Sequence, residues 1–230
     1  MNAIAGGGSF VTFPVLVFAG LPPVIANATS TAVLLPGTLA SAWAYRDGMA
    51  GVGGLRLRVL VPISLTGGFI GALLLLLMPG SAFDAVVPWL LLLATLVFAG
   101  GRELVRALTG TVHIGRGPVL AAQFAISVYG GYFGGAVGLM MLAVWSLFDS
   151  ADLKSMAPAR TLLVSAANTI AVVCFIVAGA VRWPEMLAML VSVVVGGYAG
   201  ARGARFLPPK AIRGFVLVLS AAVTAYFFVR

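Results

Sequence analysis

Arg160 heads an otherwise apolar run and is followed at once by Thr161 and, two helical turns on, by Asn168 and Thr169. A guanidinium in such surroundings is costly, and its planar fork of donors matches an oxyanion. Its other use is to snorkel toward an aqueous interface, which its place near the end of the run permits. Two glycine clusters stand out beside it. The first, Gly6-Gly7-Gly8, is followed by Ser9 and Thr12; the second runs from Gly130-Gly131 through Gly134-Gly135 to Gly138. Glycine clusters break helices, and a helix that restarts after a break offers free N–H groups and a positive dipole end to a negative ligand. Gly7, Gly8, Gly134, Gly135 and Gly138, with the hydroxyls of Ser9 and Thr12, are therefore candidates to surround an anion; close helix packing is the competing use of these glycines. A fourth group, Asn27, Thr29, Ser30 and Thr31, opens another apolar run. It suits either hydrogen bonding to ligand oxygens or an N-cap whose hydroxyls bond back to their own helix. Asn168 lies too deep for capping, so interhelical bonding or ligand contact must account for it, and Gln123 is similar.

These groups bind; they do not make or break covalent bonds. The chain has one histidine, His113, in a basic segment, and one cysteine, Cys174, in an apolar run. Its six carboxylates, Asp47, Asp84, Glu103, Asp149, Asp152 and Glu185, all sit at the ends of runs. No nucleophile-base pair, metal set, cofactor motif or disulfide is readable from this inventory, which argues against an enzyme.

The elements that must carry the candidates follow from composition. Of 230 residues 61% are hydrophobic and 9% charged, and the mean hydropathy is +1.12. Twenty charged side chains cannot cover a water-soluble domain of this length, whereas a bilayer asks for no such cover. The net charge of +8 would suggest nucleic acid in a soluble protein; in a membrane protein it belongs on cytoplasmic loops, and no nucleic-acid partner is expected. Six neutral runs match single helical crossings of about 20 residues: 25–45, 59–78, 85–101, 160–181, 186–204 and 214–229. The remaining two, 1–22 and 117–148, are the ones the glycine clusters interrupt. As one helix, 117–148 would extend about 48 Å, too long for one crossing and too short for two. A broken helix or a re-entrant pair of half-helices satisfies that length.

The chain resembles itself at an offset near 130. Gly8 falls on Gly138, Thr31 on Thr161, Gly48 on Gly179 after one gap, Gly67 to Gly71 on Gly196 to Gly200, and Pro79 on Pro208. The expected architecture is an all-α polytopic membrane protein: a single transmembrane domain, 1–230, of two homologous repeats, 1–108 and 109–230. Residues 117–130 would correspond to positions ahead of Met1, so the first repeat is expected to lack its first half-helix. No basic segment precedes the first apolar run, as a signal peptide would require. The small-xxx-small spacing of Gly67/Gly71 and Gly196/Gly200 predicts close packing, and Trp43, Trp89, Trp145 and Trp183 lie where an aromatic belt would place them.

Charge placement orients the chain. Eight plain crossings would divide the fourteen basic residues eight to six. With 117–148 entering and leaving on one side, twelve share a side and only Arg182 and Arg230 remain opposite, which satisfies the positive-inside rule. Loops 46–58, 102–116, 149–160 and 202–213 are then cytoplasmic, the C-terminus is periplasmic, and the second repeat is inverted relative to the first.

The ordered motifs resemble a known family. Ala5-Gly6-Gly7-Gly8-Ser9 through Pro14, Gly20-Leu21-Pro22-Pro23, Asn27-Ala28-Thr29-Ser30-Thr31 and Trp43-Ala44-Tyr45-Arg46 resemble the first repeat of the TauE/SafE sulfite and sulfonate exporters. Tyr129 to Gly135, Arg160-Thr161-Leu162-Leu163, Asn168, Gly179 to Trp183 and Gly196 to Gly200 resemble the second. Departures are Ala157-Pro158 where members often carry Asn-Ala, and Arg160 where lysine is common. The resemblance implies a bacterial inner-membrane carrier of small sulfur-containing anions such as sulfite, sulfoacetate and organosulfonates. Alternatives on the same scaffold are an anion channel or a carrier of another small carboxylate or oxyanion. A small anion and the lipid bilayer are the partners implied.

Overall fold

The computed structural model describes residues 8–48, 51–52, 54–108, 115–148, 155–203 and 209–229, with side-chain surroundings left aside for 48, 102, 104–108, 148, 197–203 and 209–213. Among the described residues there are nine α-helices: α1 (Ser9–Phe18), α2 (Pro23–Ala44), α3 (Leu57–Leu77), α4 (Gly80–Leu108), α5 (Arg116–Tyr132), α6 (Val137–Phe148), α7 (Ala157–Val177), α8 (Trp183–Gly203) and α9 (Pro209–Val229). The only extended pairing described is a single bridge between Val52 and Leu55. The six runs expected to cross singly are α2, α3, α4, α7, α8 and α9. Four segments, Pro23–Ala44, Leu57–Leu77, Gly80–Gly101 and Ala157–Val177, are long and apolar enough to span a bilayer. The chain is a multi-pass membrane protein.

Two of the boundary differences from the sequence expectation move charged residues. Helix α4 continues to Leu108, so the charged segment taken as a loop from 102 starts as helix, because Arg102-Glu103-Leu104-Val105-Arg106-Ala107-Leu108 contains no breaker. Helix α7 starts at Ala157, three residues ahead of the expected run, with proline in its first turn, so Arg160 sits inside that first turn rather than heading the helix.

Helix directions follow from cross-helix contacts. Gln123 of α5 and Trp145 of α6 are 22 residues apart, which one continuous helix would separate by about 33 Å, yet Trp145 Nε1 donates to Gln123 Oε1 at 3.1 Å. The two helices therefore fold back on each other. The turn between them holds Gly134 at φ +81° and Ala136 at φ +57°, left-handed conformations that glycine takes freely and alanine does not. Gln123 Nε2 also donates to Ser64 Oγ of α3 at 3.0 Å, and all of Gln123, Ser64, Ser127 and Trp145 are fully buried. This network fills the amide's needs, as burial demands. It also takes Trp145 out of the aromatic belt: Trp43, Trp89 and Trp183 are exposed while Trp145 is 0% exposed.

Helices α3 and α5 run parallel, since Ser64 meets Gln123 and, two turns further along both, a Cβ on Gly71 would strike the Val128 carbonyl and the Tyr132 nitrogen. Gly67 is as tightly set against Ser127, and Gly68 against the Ala167 backbone of α7 at 2.6 Å. Only glycine admits backbones this close. Among the described residues the expected packing role is not met at Gly196, which is exposed with nothing within 4 Å of a Cβ built there, and the surroundings of Gly200 lie outside them. Helix α5 covers the Gly67/Gly71 face of α3; among the described residues no helix covers α8 in that way.

Helices α2 and α7 run antiparallel: Ser165 Oγ donates to the Thr38 carbonyl at 3.0 Å, while the Arg182 amide beyond the far end of α7 donates to Thr29 Oγ1 near the start of α2 at 3.1 Å. Helices α4 and α9 are antiparallel too, with the Thr95 and Thr224 hydroxyls 3.2 Å apart and Trp89 edge-on to Phe228. These directions put Arg46, Arg56, Arg58, Arg116 and Arg160 toward one end of the bundle. At the other, Arg182 pairs with Glu185 at 3.1 Å.

Candidate functional site

A cavity of about 60 Å³ lies where α1, α2, α6 and α7 converge. At roughly 15 Å³ for each water this is space for about four waters, the size class of a small oxyanion. Helix α2 presents Thr31, Leu34, Thr38 and Ser41, spaced by three and four residues along one helical face; α7 presents Arg160, Thr161, Val164 and Asn168 by the same rule. Ser9 closes one side from the start of α1, and Gly134, Val137, Gly138 and Leu139 close another from the start of α6.

The first turn of α6 adds a dipole end. Leu139 and Met140 N–H groups both reach back to the Ala136 carbonyl, and a helix provides no internal partner for N–H groups ahead of these. Arg160 lies across this turn. A Cβ on Gly138 would come within 3.2 Å of Arg160 Cδ and 3.6 Å of Cγ and Nε, so the glycine gives the arginine stem its place.

The polar lining divides by what its protons do. Thr31 Oγ1 donates to the Asn27 carbonyl at 2.9 Å, Thr38 Oγ1 to Leu35 at 2.9 Å, Ser41 Oγ to Gly37 at 2.8 Å and Thr161 Oγ1 to Ala157 at 2.8 Å. Asn168 is 8% exposed and finds no hydrogen-bond partner among the described residues, although it lines the cavity. A buried amide without a partner is uncommon.

Of the thirteen residues proposed from sequence, Ser9, Thr31, Gly134, Gly138, Arg160, Thr161 and Asn168 line the cavity. Five lie around it instead. Gly8 accepts from Thr12 Oγ1 at 3.1 Å; Thr12 and Ser30 share a buried hydroxyl contact at 2.6 Å; Asn27 Nδ2 donates to the Tyr132 carbonyl at 2.8 Å, tying α2 to the end of α5. A Cβ on Gly135 would meet the Phe133 ring and Ala94, so that glycine packs the turn against α4. Gly7 lies outside the described residues. Thr38 and Ser41 were not picked out from sequence. The face begun by Thr31 reaches them at seven and ten residues, and Thr38 stands 130 residues before Asn168, so both signals were present.

Residues 1–227 match the family described as "Sulfite exporter TauE/SafE". The chain belongs to the TauE/SafE family. It is a membrane transporter of that family, and the cavity sits among the helices of a TauE/SafE protein. It is similar to the "Probable membrane transporter protein ORF9" of Sinorhizobium sp, 29% identical over 97% of this chain and 85% of the relative. It is also similar to the "Probable membrane transporter protein YfcA" of Escherichia coli K12, 26% identical over 98% of this chain and 83% of the relative. A "Probable membrane transporter protein" of Haemophilus influenzae is 26% identical over 98% and 88%. No solved structure matches the chain.

Proposed function

We propose that the chain is a secondary carrier of small sulfur-containing anions, such as sulfite, sulfoacetate or organosulfonates, and that the cavity between α2 and α7 is its substrate seat. The observation that carries this reading is the convergence there of Arg160, Asn168 and the start of α6 in a space of small-oxyanion size. A guanidinium and a helix N-terminus compensate negative charge without the permanence of a metal, which suits a site that must release its ligand.

The seat lies at the interface of two inverted repeats, 1–108 and 109–230. Supporting this, cavity residues fall in pairs 130 apart: Ser9 with Leu139, Thr31 with Thr161, Leu34 with Val164, Thr38 with Asn168. Thr95 and Thr224, 129 apart, touch each other, as residues beside a two-fold axis do. The corresponding helices α2 and α7, and α4 and α9, are antiparallel, the relation an in-plane two-fold imposes. The folded-back α5–α6 pair is the re-entrant hairpin. The basic end of the bundle faces the cytoplasm of the inner membrane, with the C-terminus periplasmic. Counterflow in proteoliposomes tests the activity: labelled sulfite, sulfoacetate or a simple sulfonate should exchange against unlabelled anion, and failure of all of them in folded protein would remove the carrier reading.

A further inference from the structure

The cavity's donors and acceptors are unequally supplied, and the imbalance specifies its ligand beyond net charge. Thr31, Thr38, Ser41 and Thr161 each face a carbonyl of their own helix at 2.8 to 2.9 Å. A carbonyl only accepts, so each hydroxyl proton is committed to the backbone, and what these side chains offer the cavity is an oxygen lone pair. The lining carries one formal charge among the described residues, Arg160, and one amide with both its donor and its acceptor unused, Asn168.

We infer that the cavity selects singly charged anions that also carry a hydrogen-bond donor, a protonated oxyanion or a hydroxyl-bearing organic acid; this rests on the cavity being the anion seat. A fully deprotonated dianion has only acceptors to present. Beside Arg160, the Asn168 amide and the Ser9 hydroxyl, it meets four oxygen lone pairs, and it can turn those four hydroxyls into donors only by breaking their bonds to helix carbonyls. A monoanion with an O–H places its charged oxygens at Arg160 and the Asn168 amide and gives its own proton to a threonine oxygen, leaving every helix bond intact. Leu34, Leu139 and Val164 leave apolar wall for a short carbon chain.

Three probes titrated calorimetrically into the purified full chain separate the alternatives: ethanesulfonate, 2-hydroxyethanesulfonate and ethane-1,2-disulfonate. The hydroxyl should strengthen binding by about tenfold, the effect of one added hydrogen bond, and the disulfonate should bind weakest. The near-isosteric Thr38→Val and Thr161→Val variants should together reduce the hydroxyl preference, read as the ratio of the two monosulfonate affinities, to below about threefold, whatever loss the two ligands share. Equal affinity for the two monosulfonates, or tighter binding of the disulfonate, overturns the donor preference. Arg160→Ala separates the two levels: it should weaken both monosulfonates in parallel. If it weakens them and no hydroxyl preference exists, the donor preference alone fails. If it leaves both unchanged, or if none of the probes binds, the cavity reading fails with it.

Discussion

On the α2 wall of the cavity stand Thr31, Leu34 and Thr38; on the α7 wall, 130 residues later, stand Thr161, Val164 and Asn168. The two walls share a hydroxyl, a branched aliphatic and a polar side chain in the same order, and they part at the next positions outward. Where α7 carries Arg160, α2 carries Ser30, which is 2% exposed and turned onto Thr12. Where α1 brings Ser9, α6 brings Leu139. Shape is therefore common to both halves, and charge and amide belong to the second. Under the proposed repeat, the departures from symmetry, and not the shared shape, would supply the selectivity.

Exchanging the unequal pair would break the comparison most severely. Arg160→Ser should weaken anion binding about 100-fold, in line with the loss of a charge-assisted contact. Adding Ser30→Arg should not restore it, because position 30 points into packed protein rather than the cavity; recovery to within about threefold would show that the walls are interchangeable. Asn168→Leu should cost about tenfold, against about twofold for Thr38→Val with a simple sulfonate, since only the asparagine has an uncommitted donor. Equilibrium titration of both variants checks the contrast. Gly138→Ala should weaken binding about threefold in the wild-type background and not at all beside Arg160→Ala, because its Cβ would act by displacing the arginine stem. Gly37→Ala, with nothing near its Cβ, is the neutral comparison. The smallest effect is at Ser30→Ala: loss of its hydroxyl contact should lower stability by about 0.6 kcal/mol in a detergent unfolding series and leave anion affinity unchanged.

The helices of the six single runs were legible because apolar runs and charge clusters are local signals, and each run falls on one helix with its ends at most seven residues away. The seven cavity residues singled out from sequence share the property of being chemically exceptional where they stand: a charge, an amide, a glycine or a hydroxyl at a break. Thr38 and Ser41 are ordinary hydroxyls inside an apolar helix, and only helical phase or the repeat offset distinguishes them. Trp145 misled by its place near the end of a run; its partner Gln123 sits in another helix, and a pairing across 22 residues leaves no trace in local pattern. Gly196 misled for the converse reason. Its spacing repeats that of Gly67, but close approach needs a second helix, and a sequence motif carries only one side of a contact.

The central claim is that the anion sits at Arg160 between α2 and α7. Its most direct test is the affinity of the purified protein for a simple sulfonate, compared between Arg160→Ala and Arg58→Ala. Each substitution removes one positive charge, and Arg58 is exposed in the first turn of α3, so any effect of net charge is shared. The account predicts an affinity about 100-fold weaker for Arg160→Ala and within about twofold of wild type for Arg58→Ala; equal affinities in the two variants would contradict it.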